Sequence, residues 1–160
     1  MFALFVFVGF IFVSTGYESY GIVVESGPVY QGQTKLIDSF VKAFKEGDAE
    51  GCAKLYTDNT VYMEAELPIA VGRDVVLSNY QAYFKGRKNK IIEMAEPISE
   101  VITFGNMAAF LGPCINVEET QAGVQKTKTY KNMILSQKQP NGSWQMLWDI
   151  YNYDADYSNG

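Results

Sequence analysis

The run Asn132-Met-Ile-Leu-Ser-Gln-Lys-Gln-Pro-Asn-Gly-Ser-Trp-Gln-Met-Leu-Trp-Asp-Ile-Tyr-Asn152 decides the fold. Pro140-Asn-Gly-Ser143 stands in its middle. Asn-Gly accepts the positive φ that a tight hairpin requires, and Pro140 cannot occupy a central strand. The run therefore reads as two strands around a turn. In the second strand Trp144, Met146, Trp148 and Ile150 recur at every second residue and share one face, with Gln145 and Asp149 on the other. Simple alternation makes Trp148 an inward residue and Asp149 a surface or subunit-interface residue.

Working outward, the chain before this hairpin is helical first and extended later. Leu36, Ile37, Phe40, Val41 and Phe44 follow the spacing of an amphipathic helix, which Gly47 ends. Asp48 caps a second short helix over 49–56. Thr57-Asp-Asn59 reads as a turn, Val61 to Glu64 as a strand, and Glu66 to Arg73 as a loop or short hairpin. A third helix spans about Asp74 to Phe84. Long strands follow over 90–104, 106–118, 125–138 and 144–153. Helices followed by a long antiparallel meander make an α+β fold. No internal repeat is present.

Composition bounds the function. The chain has 160 residues, enough for one domain, and 48% hydrophobic residues, which is globular. Its net charge of −5 disfavours nucleic acid as a partner, since that binding needs basic surface. With no histidine, His-based triads and His metal sites are excluded. The two cysteines form no CxxC motif, and no metal or cofactor is expected. Cys52 and Cys114 are either a disulfide pair or two buried small hydrophobes.

Residues 1–13 are almost wholly apolar, and Ser14, Thr15 and Gly16 follow. A membrane-spanning helix needs about 20 apolar residues, so this run is too short to be a stable span. It matches the core and cleavage region of a secretory signal peptide, although no Lys or Arg precedes it; the alternative is an uncleaved anchor or a buried N-terminal strand. The expected organisation is a signal peptide over 1–16, an extended arm or linker over 17–32, and a domain over 33–155, with the protein secreted. Asn141-Gly-Ser143 is a glycosylation acceptor sequence at an exposed turn, and equally ordinary turn chemistry.

Several stretches resemble a known family. They are Ile37-Asp-Ser-Phe-Val-Lys-Ala-Phe-Lys-Glu-Gly-Asp-Ala49, Leu55-Tyr-Thr-Asp-Asn-Thr-Val-Tyr62, Val71-Gly-Arg-Asp74 and Gly142-Ser-Trp-Gln-Met146. Their order resembles the SnoaL-like, ketosteroid-isomerase-like branch of the nuclear transport factor 2-like superfamily. The resemblance implies a cone, a strongly curved sheet wrapped around helices with a pocket at its open end. It also implies homodimers through the outer sheet face.

The superfamily hosts enzymes and noncatalytic domains alike, so fold does not settle function. In isomerase-like relatives a carboxylate after the first strand takes the substrate proton, and that place falls on Glu64 or Glu66. The plain alternative puts both on a solvated rim. The relatives' helix tyrosine matches Phe40, which lacks a hydroxyl. Their acidic donor on the penultimate strand matches Asn132 to Ile134, none of which is acidic. Tyr56, Tyr62, Tyr130, Asn132, Trp148 and Asn152 are the expected pocket residues. The leading expectation is a secreted, noncatalytic, dimeric domain binding a small apolar ligand. One alternative is an isomerase, cyclase or dehydratase with Glu64 as base and Tyr56 or Tyr130 as acid. A third is a pure oligomerisation domain.

Overall fold

The structure is a computed structural model that describes residues 21–155. The expected signal peptide lies outside the described residues. The elements run β1 (Ile22–Val23), α1 (Gly27–Glu46), α2 (Ala49–Ala53), β2 (Tyr56–Met63), β3 (Ala70–Val71), α3 (Arg73–Gly86), β4 (Lys90–Ala95), β5 (Glu100–Phe104), β6 (Met107–Glu119), β7 (Gln125–Lys138) and β8 (Trp144–Tyr153). They build one sheet in the order β1-β5-β6-β7-β8-β2-β3, with β4 also pairing β6. All pairings are antiparallel except β2 with β8. This is the expected α+β cone.

Helix α1 begins at Gly27, inside the segment read as a linker. Gly27, Pro28 and Gly32 look like breakers in sequence, yet Pro28 stands in the first turn, where its missing N–H costs nothing. The helix buries Leu36, Ile37, Phe40 and Ala43 against the sheet and ends at Gly47, whose φ of 75° suits glycine. The Asp48 side chain accepts a hydrogen bond from the Gly51 N–H at 2.8 Å and starts α2. The expected turn at Thr57–Asn59 is instead part of β2, which pairs with β8 through an irregular register between Tyr56 and Val61.

Two irregularities give the cone its shape. The single strand expected over 90–104 is broken. Its halves β4 and β5 both pair with β6, at Ile115–Glu119 and Met107–Leu111 respectively. Pro97 lies in the break, where it has no N–H to give to a ladder. Opposite it, a Cβ on Gly112 would run into the Pro97 carbonyl oxygen, so glycine alone lets the two chains approach. The second irregularity is a β-bulge. Leu135 pairs Trp148 and Ser136 pairs Met146, so Leu147 is the extra residue.

The hairpin turn forms as the sequence dictates, with Gly142 at φ 84° and Lys138 paired to Trp144. Asn141 is exposed at its tip, its Oδ1 accepting from the Ser143 backbone and hydroxyl. Cys52 and Cys114 are both buried and free, so the disulfide the sequence allows is not made. Cys52 sits on α2 near Asp48 and Lys54, whereas Cys114 sits in β6 near Glu96 and Asp149; they occupy different parts of the core.

Candidate active site

The concave face of the sheet and helices α1 and α3 enclose a cavity with about 820 Å³ of empty space, part of it the open mouth. Aromatic rings dominate its wall. Phe40 and Phe44 come from α1, Tyr80 and Tyr83 from α3, Tyr62 from β2, and Tyr130, Tyr151 and Tyr153 from β7 and β8. Many are in mutual ring contact, such as Tyr62 with Tyr80 at 6.0 Å and Tyr130 with Tyr151 at 5.6 Å.

Four carboxyl groups line this aromatic cavity, and three of them, Asp149, Glu96 and Glu64, form no ion pair among the described residues. Asp149 is 5% exposed and accepts from the Tyr56 hydroxyl at 2.7 Å. Tyr56 is also 2.8 Å from the Tyr80 hydroxyl. With the Tyr56 proton given to Asp149, Tyr80 donates to Tyr56, making a relay Tyr80–Tyr56–Asp149. Glu96, from the β4–β5 break, accepts from Tyr130 at 2.7 Å and from the Asn132 amide at 3.1 Å. Glu64, just past β2, accepts from the Tyr151 hydroxyl at 3.0 Å. No salt bridge among the described residues reaches any of the three.

Burial without a cation raises the proton affinity of these groups. Desolvation raises Asp149 to about 7, with repulsion from Glu64 adding and the Tyr56 bond opposing. Desolvation likewise raises Glu96 to about 7, against the lowering hydrogen bonds of Tyr130 and Asn132. Glu64 is raised by desolvation and lowered by its Tyr151 bond. Near neutrality, then, Asp149 and Glu96 can each give or take a proton. A fourth acid, Glu118, meets Asn89 at 3.0 Å and Lys128 at 3.5 Å where it lines the cavity. Among the described residues no cluster of three metal-ligating side chains occurs.

Of the expected site residues, the fold brings Glu64, Tyr62, Tyr130 and Asn132 to the cavity wall. Tyr56 lies beneath it, fully buried and bonded to Asp149. Trp148 and Asn152 do not reach it. The Leu147 bulge shifts the phase of β8, so Trp148 is 51% exposed on the outer face and Asn152 follows it there. The same shift turns Asp149, Tyr151 and Tyr153 inward, reversing the surface position expected for Asp149. Sequence reasoning missed Asp149 for this reason. It missed Glu96 because a long-strand reading across Pro97 hid the break; Pro97 itself was the available signal.

No protein-family model matches the chain, and no curated protein does. Solved structures do. A ketosteroid isomerase-like protein from Erwinia carotovora atroseptica is 26% identical, with TM-score 0.66, over 77% of this chain and 94% of that one. A nuclear transport factor 2-like superfamily protein from Salmonella enterica is 17% identical, TM-score 0.68, over 82% and 95%. ActVI-ORFA from Streptomyces coelicolor is 11% identical, TM-score 0.69, over 80% and 98%. The chain has the nuclear transport factor 2-like, cystatin-like cone.

Proposed function

We propose that this nuclear transport factor 2-like cone binds a small, largely apolar molecule and performs cofactor-independent acid–base chemistry on it, of the isomerase, cyclase or dehydratase type. One observation carries the reading: Glu64, Glu96 and Asp149 share one aromatic cavity with no cation paired to them among the described residues. Buried unpaired carboxyls cost stability, and such perturbed acids concentrate where proton transfer is done. Phe40 still lacks a hydroxyl, and β7 still offers no acid. Both donors are replaced from elsewhere in the fold, by Asp149 on β8 and Glu96 in the β4–β5 break.

The division of labour follows from exposure and bonding. Glu64 is the least enclosed of the three and acts as the ionised base, removing a proton from carbon beside a substrate carbonyl. Protonated Asp149 or Glu96 donates to the carbonyl oxygen as negative charge develops there. The proton held by Glu64 then returns to a different substrate atom, restoring the carboxylate. A panel of unsaturated and hydroxylated ketones, neutral and amine-bearing, followed by absorbance, tests this. Glu64→Gln should lower turnover by about 10²–10⁴. An unchanged rate removes Glu64 from the chemistry. Binding across the panel with no turnover in the unaltered protein would favour a noncatalytic carrier instead.

The outer face supports pairing with a second copy. Val71, Val61, Trp148, Leu135 and Ala109 lie in one cross-strand row, and Met63, Ile150, Met133 and Leu111 in the next. Trp148, Met133 and Leu111 are 51%, 52% and 44% exposed. An apolar stripe of this kind on a sheet face is suited to isologous burial. The apolar leader further supports secretion, with the Asn141 acceptor then accessible to glycosylation. Intact mass after expression in a secretory host reads both; an unprocessed, unmodified chain would count against each.

A further inference from the structure

One buried acceptor in the cavity wall has no hydrogen-bond partner among the described residues. Its carboxyl groups are Glu64, Glu96, Glu118 and Asp149. The donors that meet them are already committed: Tyr151 to Glu64, Tyr56 to Asp149, Tyr130 and Asn132 to Glu96, and Asn89 to Glu118. Asn116 adds a further acceptor. Its amide nitrogen faces Glu118 Oε1 at 3.5 Å, the orientation a carboxylate demands. That leaves Asn116 Oδ1 buried in a residue 7% exposed, with no partner among the described residues. A buried acceptor left unpaired in a cavity wall asks for a donor from the ligand.

The cations nearby do not meet this demand. Lys128 stands 3.5 Å from Glu118 and, among the described residues, pairs with no other cavity acid. Arg87 donates to the Phe44 carbonyl and lies over the Phe84 ring, 5.0 Å from its centroid. Meanwhile the wall presents tyrosine rings, whose faces attract positive charge. Tyr83 and Tyr153 line this cavity together with Glu64 and Glu118.

We propose that the ligand carries a protonated amine, held by Glu118 and Asn116 Oδ1 against the rings of Tyr83 and Tyr153, with Glu64 left to the proton transfer. Its apolar body runs inward over Phe40 and Tyr62. A protonated amine supplies up to three donors, and one of them meets Asn116 Oδ1. An anionic substrate is disfavoured by every acid in the wall. This rests on the cavity being the ligand site, and it specifies the chemical class of that ligand.

Three probes of similar size decide it: benzylammonium, its neutral isostere ethylbenzene, and benzoate. Dissociation constants are read by intrinsic fluorescence or calorimetry on the full protein. The cation should bind about tenfold or more tightly than the neutral isostere, with benzoate weakest. Glu118→Gln should shrink that preference by several-fold while leaving ethylbenzene affinity nearly unchanged. Equal binding of cation and neutral isostere, tighter binding of benzoate, or no binding of any probe overturns the proposal. The comparison is made within the unaltered protein, so it stands even if the variant folds poorly. Neutral ketones turned over without any preference for the cation would sink the ammonium site and leave the acid–base reading intact. Cation preference without turnover of any ketone would do the reverse.

Discussion

Replacing Asp149 with asparagine should stabilise the protein in alkaline solution and do little in acid. In the unfolded chain this carboxyl titrates at its ordinary 3.8; in the cavity it is held at about 7, chiefly by desolvation. The folded state therefore binds the proton more tightly. Between those values the folded state holds more protons than the unfolded one, so stability falls as pH rises through the window and is lowest above it. At about 1.4 kcal/mol per pH unit, charging Asp149 in place costs on the order of 4 kcal/mol. The asparagine side chain would carry no charge, and its carbonyl can still accept the Tyr56 hydroxyl, keeping a bond of about 1 kcal/mol. Asp149→Asn should thus raise the unfolding free energy by about 2–4 kcal/mol at about pH 8, a urea midpoint shift of roughly 1–2 M. At about pH 4 the two proteins should agree to within about 1 kcal/mol, because the folded carboxyl is then neutral and the unfolded one, roughly half ionised, gains only about 0.6 kcal/mol from ionising. Urea titrations followed by tryptophan fluorescence, repeated across this pH range, measure both. Parallel stability curves for the two proteins would refute the reasoning, since the buried acid would then carry no charging cost. Turnover should fall in the same variant, making Asp149 a residue kept at the expense of stability.

Other expectations follow from the same geometry. Glu96 is raised from 4.5 to about 7 by burial, so Glu96→Gln should flatten the remaining alkaline loss of stability in the same direction, read by the same titrations. Gly112→Ala sets a methyl against the Pro97 carbonyl oxygen and should cost about 1–3 kcal/mol, seen as a lower thermal midpoint. Because the displaced segment carries Glu96, ligand affinity should fall with it; an unaltered melting curve would show that the β4–β5 break is not held by this approach. Trp148→Glu places a charge in the exposed apolar row and should convert a dimer to monomer by sedimentation, with the cavity chemistry retained. A wild-type chain that sediments as a monomer removes the outer face as a homodimer interface.

Much of the frame is written locally. The helix of Leu36, Ile37, Phe40 and Phe44, its stop at Gly47, the Asp48 cap and the Asn141-Gly142 hairpin each depend on residues within a turn or two of one another. Strands β7 and β8 appear with the bounds their patterning predicts, the order of elements gave an α+β fold, and the family resemblance of the stretches from Ile37 to Met146 implied the cone. Glu64, or Glu66 in its place, was reachable only through the resemblance to isomerase-like relatives, against a solvated-rim alternative; the structure lines the cavity with Glu64. The remaining acids were not reachable. Asp149 reads as outward on any unbroken alternation from Trp144, and only the pairing of Leu135 with Trp148 and Ser136 with Met146 inverts it.

Sequence alone therefore determined most of the helices and strands, the hairpin and the fold class, because hydrophobic period and turn chemistry act over short distances. Tertiary structure alone decided which residues face the cavity. Facing depends on the register each strand takes with its neighbours, and one inserted residue reverses it for every residue beyond. It also decided the electrostatics. Glu64, Glu96 and Asp149 come from three separate elements, and their raised proton affinities exist only once the aromatic walls have closed around them and excluded water.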